Sequence, residues 1–348
     1  MTSKANDVLK IFSFRRVLIP IVLGLAGATY LLVKNVDTKA FELISWNSTT
    51  LLWLLAALLM VVFRDLGYMY RIRVLTDNHL SWRKSFDVIM LWEFASAITP
   101  SVVGGSGVAL YIVSKEGISV GKSTSVVMVT ALLDELFFIL MVPIVFLLVG
   151  AGELFPVALE RELFGVTLGT RGIFVVGYLF IVTMTTIIVL AIFVNPRAMK
   201  AVILNIFRIK WLRKWRYKGI QVGDDIITTS AHLKNKPFSF WVKTFAATFL
   251  SWTARYWVVN FMLLAFIPVS EHFLIYARQL VMWVIMLMSP TPGGSGIAEF
   301  AFSGFLREFT LGLGAAFALL WRFLTYYPYL FVGSIVLPGW VKRTHFSD

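Results

Sequence analysis

Apolar residues run almost unbroken over residues 17–33, 49–63, 124–149, 173–194, 241–267 and 311–337, and polar residues gather between those runs. Each run approaches or exceeds the roughly 20 residues that a helix needs to span a bilayer, so the pattern predicts six spanning helices. Two further apolar stretches, 85–113 and 273–306, are broken near their middles by "TPSVVGGSG" (99–107) and "SPTPGGSG" (289–296). The arm from Phe86 to Ile98 has 13 residues, about 20 Å of helix against a hydrocarbon core of about 30 Å. Broken backbone at that depth carries polar groups that lipid cannot satisfy, and it is tolerated only against protein or a wet cavity. Both stretches are therefore predicted to be re-entrant helical hairpins. The first run follows basic residues and holds Ala26, Gly27 and Ala28. A cleaved signal peptide also fits that pattern, but apolar residues continuing to Val33 favour a span.

Charge sets the expected orientation. Of 32 lysines and arginines, 24 fall in segments 1–16, 64–84, 114–123, 195–243 and the tail after Leu337. Five fall in 34–48, in 151–172 and at Arg307. By the positive-inside rule this predicts a multi-pass protein of the cytoplasmic (inner) membrane of a prokaryote, with both termini cytoplasmic. On that topology both ends of 85–113 face the cytoplasm and both ends of 273–306 face outside. Span, span, hairpin, span covers 17–150 and recurs over 173–337, and three crossings turn the second copy upside down, the inverted-repeat plan of many transporters. The expected architecture is an all-α polytopic membrane protein: a single membrane domain over 1–348, inverted repeats joined by an external loop, about six spans and two opposed hairpins. A basic interfacial segment, 197–236, lies within the second half.

Composition narrows the chemistry. The chain is 58% hydrophobic and only 15% charged, against about 25% charged in a soluble domain. It has no cysteine, which excludes disulfides and thiolate chemistry. Its four histidines, His79, His232, His272 and His345, stand far apart, and neither a metal site nor a cofactor is expected. No Walker loop, G-x-S-x-G elbow or H-E-x-x-H helix is present in the sequence. The net charge of +13 and the tryptophans interleaved in "RIKWLRKWRYKG" (208–219) raise the question of nucleic acid. A cytoplasmic loop beside spans accounts for them without such a partner, either as a surface helix drawn to anionic lipid or as a topology signal alone.

Helices starting just after the two "GGSG" motifs, near Val108 and Ile297, would aim free N–H groups into the membrane interior, where a phosphate could sit. That makes Gly104, Gly105, Gly107, Gly293, Gly294, Ser295 and Gly296 candidates for binding a lipid headgroup; the same glycines would equally permit tight helix crossings. A charge inside the membrane costs at least about 2.5 kcal/mol and is usually paired or functional. Arg255, Arg278 and Arg322 fall in such places and carry planar forks suited to phosphate. Glu93, Asp134, Glu135 and Glu299 could meet a cationic headgroup or carry a coupling proton. The competing account is mutual neutralisation, Arg322 with Glu135 for instance, with Glu299 acting as a first-turn acid.

The stretches "TPSVVGGSG", "PTPGGSGIAEFAF" (290–302) and "WRFLTYYPYLFVG" (321–333) resemble the membrane domain of lysylphosphatidylglycerol synthases and their stand-alone, flippase-like relatives. The resemblance covers most of the chain. Pro290, Pro292, Gly293, Gly294, Gly296 and Glu299 match the family's P-x-P-G-G-x-G-x-x-E segment, and Arg322 matches the arginine of its last span. The residues end at Asp348, so the resemblance implies a stand-alone member lacking the aminoacyl-transferase domain, and lipid aminoacylation does not carry over. It implies a translocator of a phosphate-containing lipid, a membrane phospholipid or a polyprenyl-phosphate type. Two other readings stand beside it: a membrane enzyme using Glu299, Asp134 or Glu135 as acid or base, and a non-transporting scaffold for a separate transferase. A homodimer is a further expectation.

Overall fold

The computed structural model describes residues 46–99, 102–158, 160–163, 166–209, 211–287, 291 and 294–345. The first apolar run, 17–33, and Gly293 lie outside them. The described chain is an all-α polytopic membrane protein; its strands are one antiparallel pair, β1 (Glu160–Leu163) and β2 (Val166–Gly169). Helix α1 covers Ser48–Leu75, α2 Trp82–Ile98, α3 Val102–Lys115, α4 Val120–Val149 and α5 Thr170–Val189, which a π-turn extends to Val194. Helix α6 covers Pro196–Ile206, α7 Arg216–Leu233, α8 Phe238–Leu264, α9 His272–Met286, α10 Ile297–Phe305, α11 Gly314–Thr325 and α12 Tyr327–His345.

Local chemistry sets the helix ends. Asn47 accepts from Thr50 N at 2.9 Å to cap α1, Ser81 caps α2 through Lys84 N, and Ser119 caps α4 through Lys122 N. Gly150, at φ 84°, ends α4 in a conformation that glycine adopts without strain. Stretches 48–75, 120–149, 170–194 and 314–344, the last broken at Tyr326, are long and apolar enough to cross a membrane. Helix α8, with 27 residues, has about 40 Å of reach. The helices flanking the glycine motifs are shorter: 17 residues in α2, 14 in α3, 15 in α9 and 9 in α10. None of the four matches a core of about 30 Å at 1.5 Å per residue.

Helices α1 and α8 form the most extensive pairing. Gly67 makes their crossing close: a Cβ there would clash with Ser251 Oγ, which donates to Arg64 O at 2.9 Å. Around this pair, α2 packs on α12, α3 packs on α2 and α4, and α9 packs on α4, α5 and α10. One apolar cluster, with Phe137, Phe138, Met141, Trp252, Tyr256 and Leu280, fills the half nearer the α4 C-terminus. A second, with Ile72, Leu91, Ile112, Val129 and Trp340, fills the half nearer the α1 C-terminus. Outward leucines such as Leu51, Leu55 and Leu147 are exposed, as a lipid-facing belt requires.

The structure corrects the sequence reading in two places and adds detail in a third. Helix α1 continues twelve residues past the apolar run, so Arg64 and Arg71, assigned above to a cytoplasmic loop, are buried within a helix. Helix α3 begins at Val102 rather than near Val108, which puts Gly104, Gly105 and Gly107 inside it. The basic segment folds as two helices, α6 and α7, which pack together, and α7 also packs on the start of α4.

Candidate functional site

A cavity of about 330 Å³ lies among α1, α2, α4, α8, α9 and α11, and both glycine regions reach it, through Ser106 and Gly294. Six of the residues singled out from sequence line it: Glu93, Asp134, Glu135, Arg255, Gly294 and Arg322. Arg71 and several serine and threonine residues line it too, and the rest of the wall is aromatic and apolar, with Tyr68, Trp92, Phe138, Trp252, Trp283, Trp321, Tyr326 and Tyr329. Such a lining, mostly apolar with a few converging charges, is the usual make-up of a ligand site.

The charges are ordered. Arg322, 5% exposed, gives its Nε to Glu299 Oε1 at 2.8 Å and lies 4.5 Å from the centre of the Tyr326 ring. The other oxygen of Glu299 accepts from Gly296 N at 2.6 Å, capping α10. Glu299 thus acts as the first-turn acid that stabilises a helix start and also neutralises an arginine, and the partner of Arg322 is Glu299 rather than Glu135. Arg71 donates to Asp134 Oδ1 at 2.5 Å and to Thr248 Oγ1 at 2.9 Å, while Trp252 Nε1 donates to the same Asp134 oxygen at 2.9 Å. Behind the wall, Arg64 bridges Asp65 at 3.2 Å and Glu93 at 2.7 Å, and Tyr329 donates to Asp65 at 2.9 Å.

Two lining charges differ from these. Among the described residues neither Arg255 nor Glu135 makes an ion pair within 4.0 Å. The Arg255 guanidinium instead lies 4.6 Å from the Trp283 ring centre and 5.2 Å from that of Trp252, a cation–π arrangement that tolerates a buried cation without cancelling its charge.

The structure does not bring every candidate here. Arg278, 2% exposed, pairs with Glu308 and donates to Glu153 O at 2.8 Å and Phe305 O at 3.3 Å, which ties α9 to the end of α10 and to the loop after α4. Gly105 is a packing position: an added Cβ would clash with Ser96 Oγ and lie 3.1 Å from its Cα. Gly107 faces open space, Gly104 lies in the first turn of α3, and Ser295 is buried beside the lining residue Gly294. Reasoning from sequence missed Arg64 and Arg71. Their signal was present, because Arg64, Tyr68 and Arg71 at i, i+4 and i+7 share one face of a continued helix.

Just beyond the C-terminus of α1, Asp77 joins three elements. Burial opposes its charge, but hydrogen bonds from Lys122 and Lys236 outweigh that and hold its carboxyl below the usual range. Among the described residues no cluster of His, Cys, Asp and Glu suits a metal.

A family model described as the lysylphosphatidylglycerol synthase TM region matches residues 17–333. A UPF0104 membrane protein from Archaeoglobus fulgidus is 26% identical over 329 residues, which cover 89% of this chain and 92% of that protein. No solved structure matches.

Proposed function

The chain belongs to the lysylphosphatidylglycerol synthase transmembrane family, and from that premise we propose that it is a flippase-like carrier moving a phosphate-containing lipid across the cytoplasmic membrane of a prokaryote. The observation that carries the reading is the cavity itself: three arginines, aromatic walls and the two glycine regions meet around one space of lipid-headgroup size. In this reading the α2–α3 and α9–α10 pairs are re-entrant hairpins from opposite leaflets. Residues 17–150 and 173–337 are inverted repeats whose rocking alternates access, and both termini are cytoplasmic.

The geometry gives each charge a task. Arg255, held by rings rather than by a carboxylate, is the first cation open to a phosphate. Arg322 and Arg71 can turn their forks to the headgroup while Glu299 and Asp134 wait to retake them, so these two pairs are neutral both before binding and after release, and Arg255 alone keeps an uncancelled charge. A carrier gains from that balance, because three arginines all left unpaired on release would hold the cargo. Glu135 faces the cavity as the group for a cationic headgroup moiety or a coupling proton.

The test is reconstitution in vesicles carrying fluorescent lipids of several headgroup classes, with chemical analysis of the lipid afterwards. The expected result is faster crossing of at least one class, recovered unaltered, and loss of that gain in Arg255→Gln with folded yield retained. Lipid that returns chemically changed would make the protein an enzyme. No acceleration for any class, with Arg255→Gln indistinguishable from the parent in lipid binding, would sink the carrier.

A further inference from the structure

The basic segment within the second repeat is not used by the cavity, and its surface is unusual. Helix α6 starts two residues after the α5 span and its π-turn end at Val194, so it emerges where the chain leaves the bilayer. Asn195 caps it through Ala198 N at 2.9 Å, and Pro196 occupies its first turn. One side of α6 rests on α7: Phe207 fills the space over Gly219, and the Lys200 stem crosses Gly223 to reach Asp224. The exposed remainder divides in two. Ala198, Val202 and Ile206 fall in one strip at helical spacing, all exposed, with Arg197 on the neighbouring flank, and the turn after the helix adds exposed Arg208 and Ile209. Trp211, beyond the helix, is 77% exposed.

We propose that this α6–α7 platform binds the anionic headgroups of the adjacent leaflet, the apolar strip entering between the lipids and the arginines resting on their phosphates. Charge complementarity selects that occupant. Residues 197–236 carry ten lysines and arginines against two aspartates. Arg197, Arg208, Arg213 and Arg216 are exposed and form no ion pair among the described residues. An amphipathic helix with this division lies in the interface plane, and each basic residue near an anionic surface adds several-fold to its hold. The platform is fastened to the protein rather than free. A Cβ at Gly121 would meet Thr228 Cγ2 at 2.6 Å, and Thr229 reaches Met128 Sδ at 3.9 Å, so α7 sits on the first turns of α4. This surface is independent of whether the cavity carries lipid.

The cysteine-free sequence makes the test direct. The full chain with Val202→Cys, and separately with Ala201→Cys on the basic flank, is spin-labelled and placed in nanodiscs of phosphatidylcholine alone or with 30% phosphatidylglycerol. The expected result is a label at 202 that oxygen reaches and an aqueous nickel chelate does not in the anionic discs, with 201 remaining in water. That immersion should fall in 0.5 M salt, and it should fall in a variant with Arg197, Arg208, Arg213 and Arg216 all changed to Gln, whose folding is checked by thermal unfolding. A label at 202 that stays aqueous in both discs overturns the proposal. Immersion equal in both discs and indifferent to salt and to the arginines also overturns it, since the surface would then be merely apolar. Protection only on adding an acidic polypeptide would assign the surface to a protein.

Discussion

The two glycine stretches share the letters GGSG and are built differently. In the first, the motif lies inside α3, and Gly105 serves a close approach to Ser96 of α2. In the second, the chain is unwound: Gly294 has φ 67°, Gly296 has φ 83°, and the helix begins only at Ile297. The flanking residues explain the difference. Pro290 and Pro292 immediately precede the second motif and disfavour helix there. Glu299 stands three residues after Gly296, in place to receive the free N–H of a new helix start, whereas Leu110 stands at the same distance after Gly107. A motif alone therefore does not specify a loop; the acid at its far side does.

Substitutions can break this contrast, and the largest effect is expected at Glu299. Glu299→Ala removes both the cap and the partner of a buried arginine, a loss of about 3–5 kcal/mol readable as a lowered unfolding temperature in detergent. Pairing it with Arg322→Gln in a double-mutant cycle should recover much of that loss; additive effects would show that the pair is not coupled. Next in size is Gly296→Ala. The space around Gly296 is empty, so any cost is backbone strain alone, about 1–3 kcal/mol. An unchanged stability there would mean that the turn can relax.

Gly105→Ala should behave oppositely in kind. Replacing a helical glycine ordinarily gains up to about 1 kcal/mol, but the clash with Ser96 is expected to turn that gain into a net loss. The loss should shrink in a Ser96→Gly background, which gives the added methyl room, and an undiminished loss would refute the packing role. The smallest effect lies outside both stretches. Asp77→Asn, at a half-exposed site, should cost at most about 1 kcal/mol. Because the folded-state carboxyl is lowered, its contribution is present above the unfolded pKa of about 3.9 and is lost as pH falls through the lower folded value. A loss of stability from this substitution that persists at pH 2 would contradict that role.

Much of the fold was legible because lipid imposes a strict length and polarity on spans; the GGSG motif placed the helix start at Ile297 but misplaced that of α3, because only the second motif has prolines before it and an acid after it. The charged interior was less so. Apolar runs were ended at the first arginine, although Arg64 and Arg71 are carried inside α1 by partners 29 and 63 residues away, Glu93 and Asp134. Ion pairs between distant helices have no local signature. Arg322 shows the same limit, since its partner had to be chosen among several acids of equal sequence merit and is settled by how α10 and α11 pack.

The contact of Arg255 with the rings of both Trp252 and Trp283 has an optical consequence. An indole with a cation against its face emits differently from one without. Drawing the guanidinium away toward an arriving anion should therefore change the emission of those two rings. The cavity carries its own dye, and occupancy can be followed in the native chain, without a label, by the colour and lifetime of its ultraviolet fluorescence.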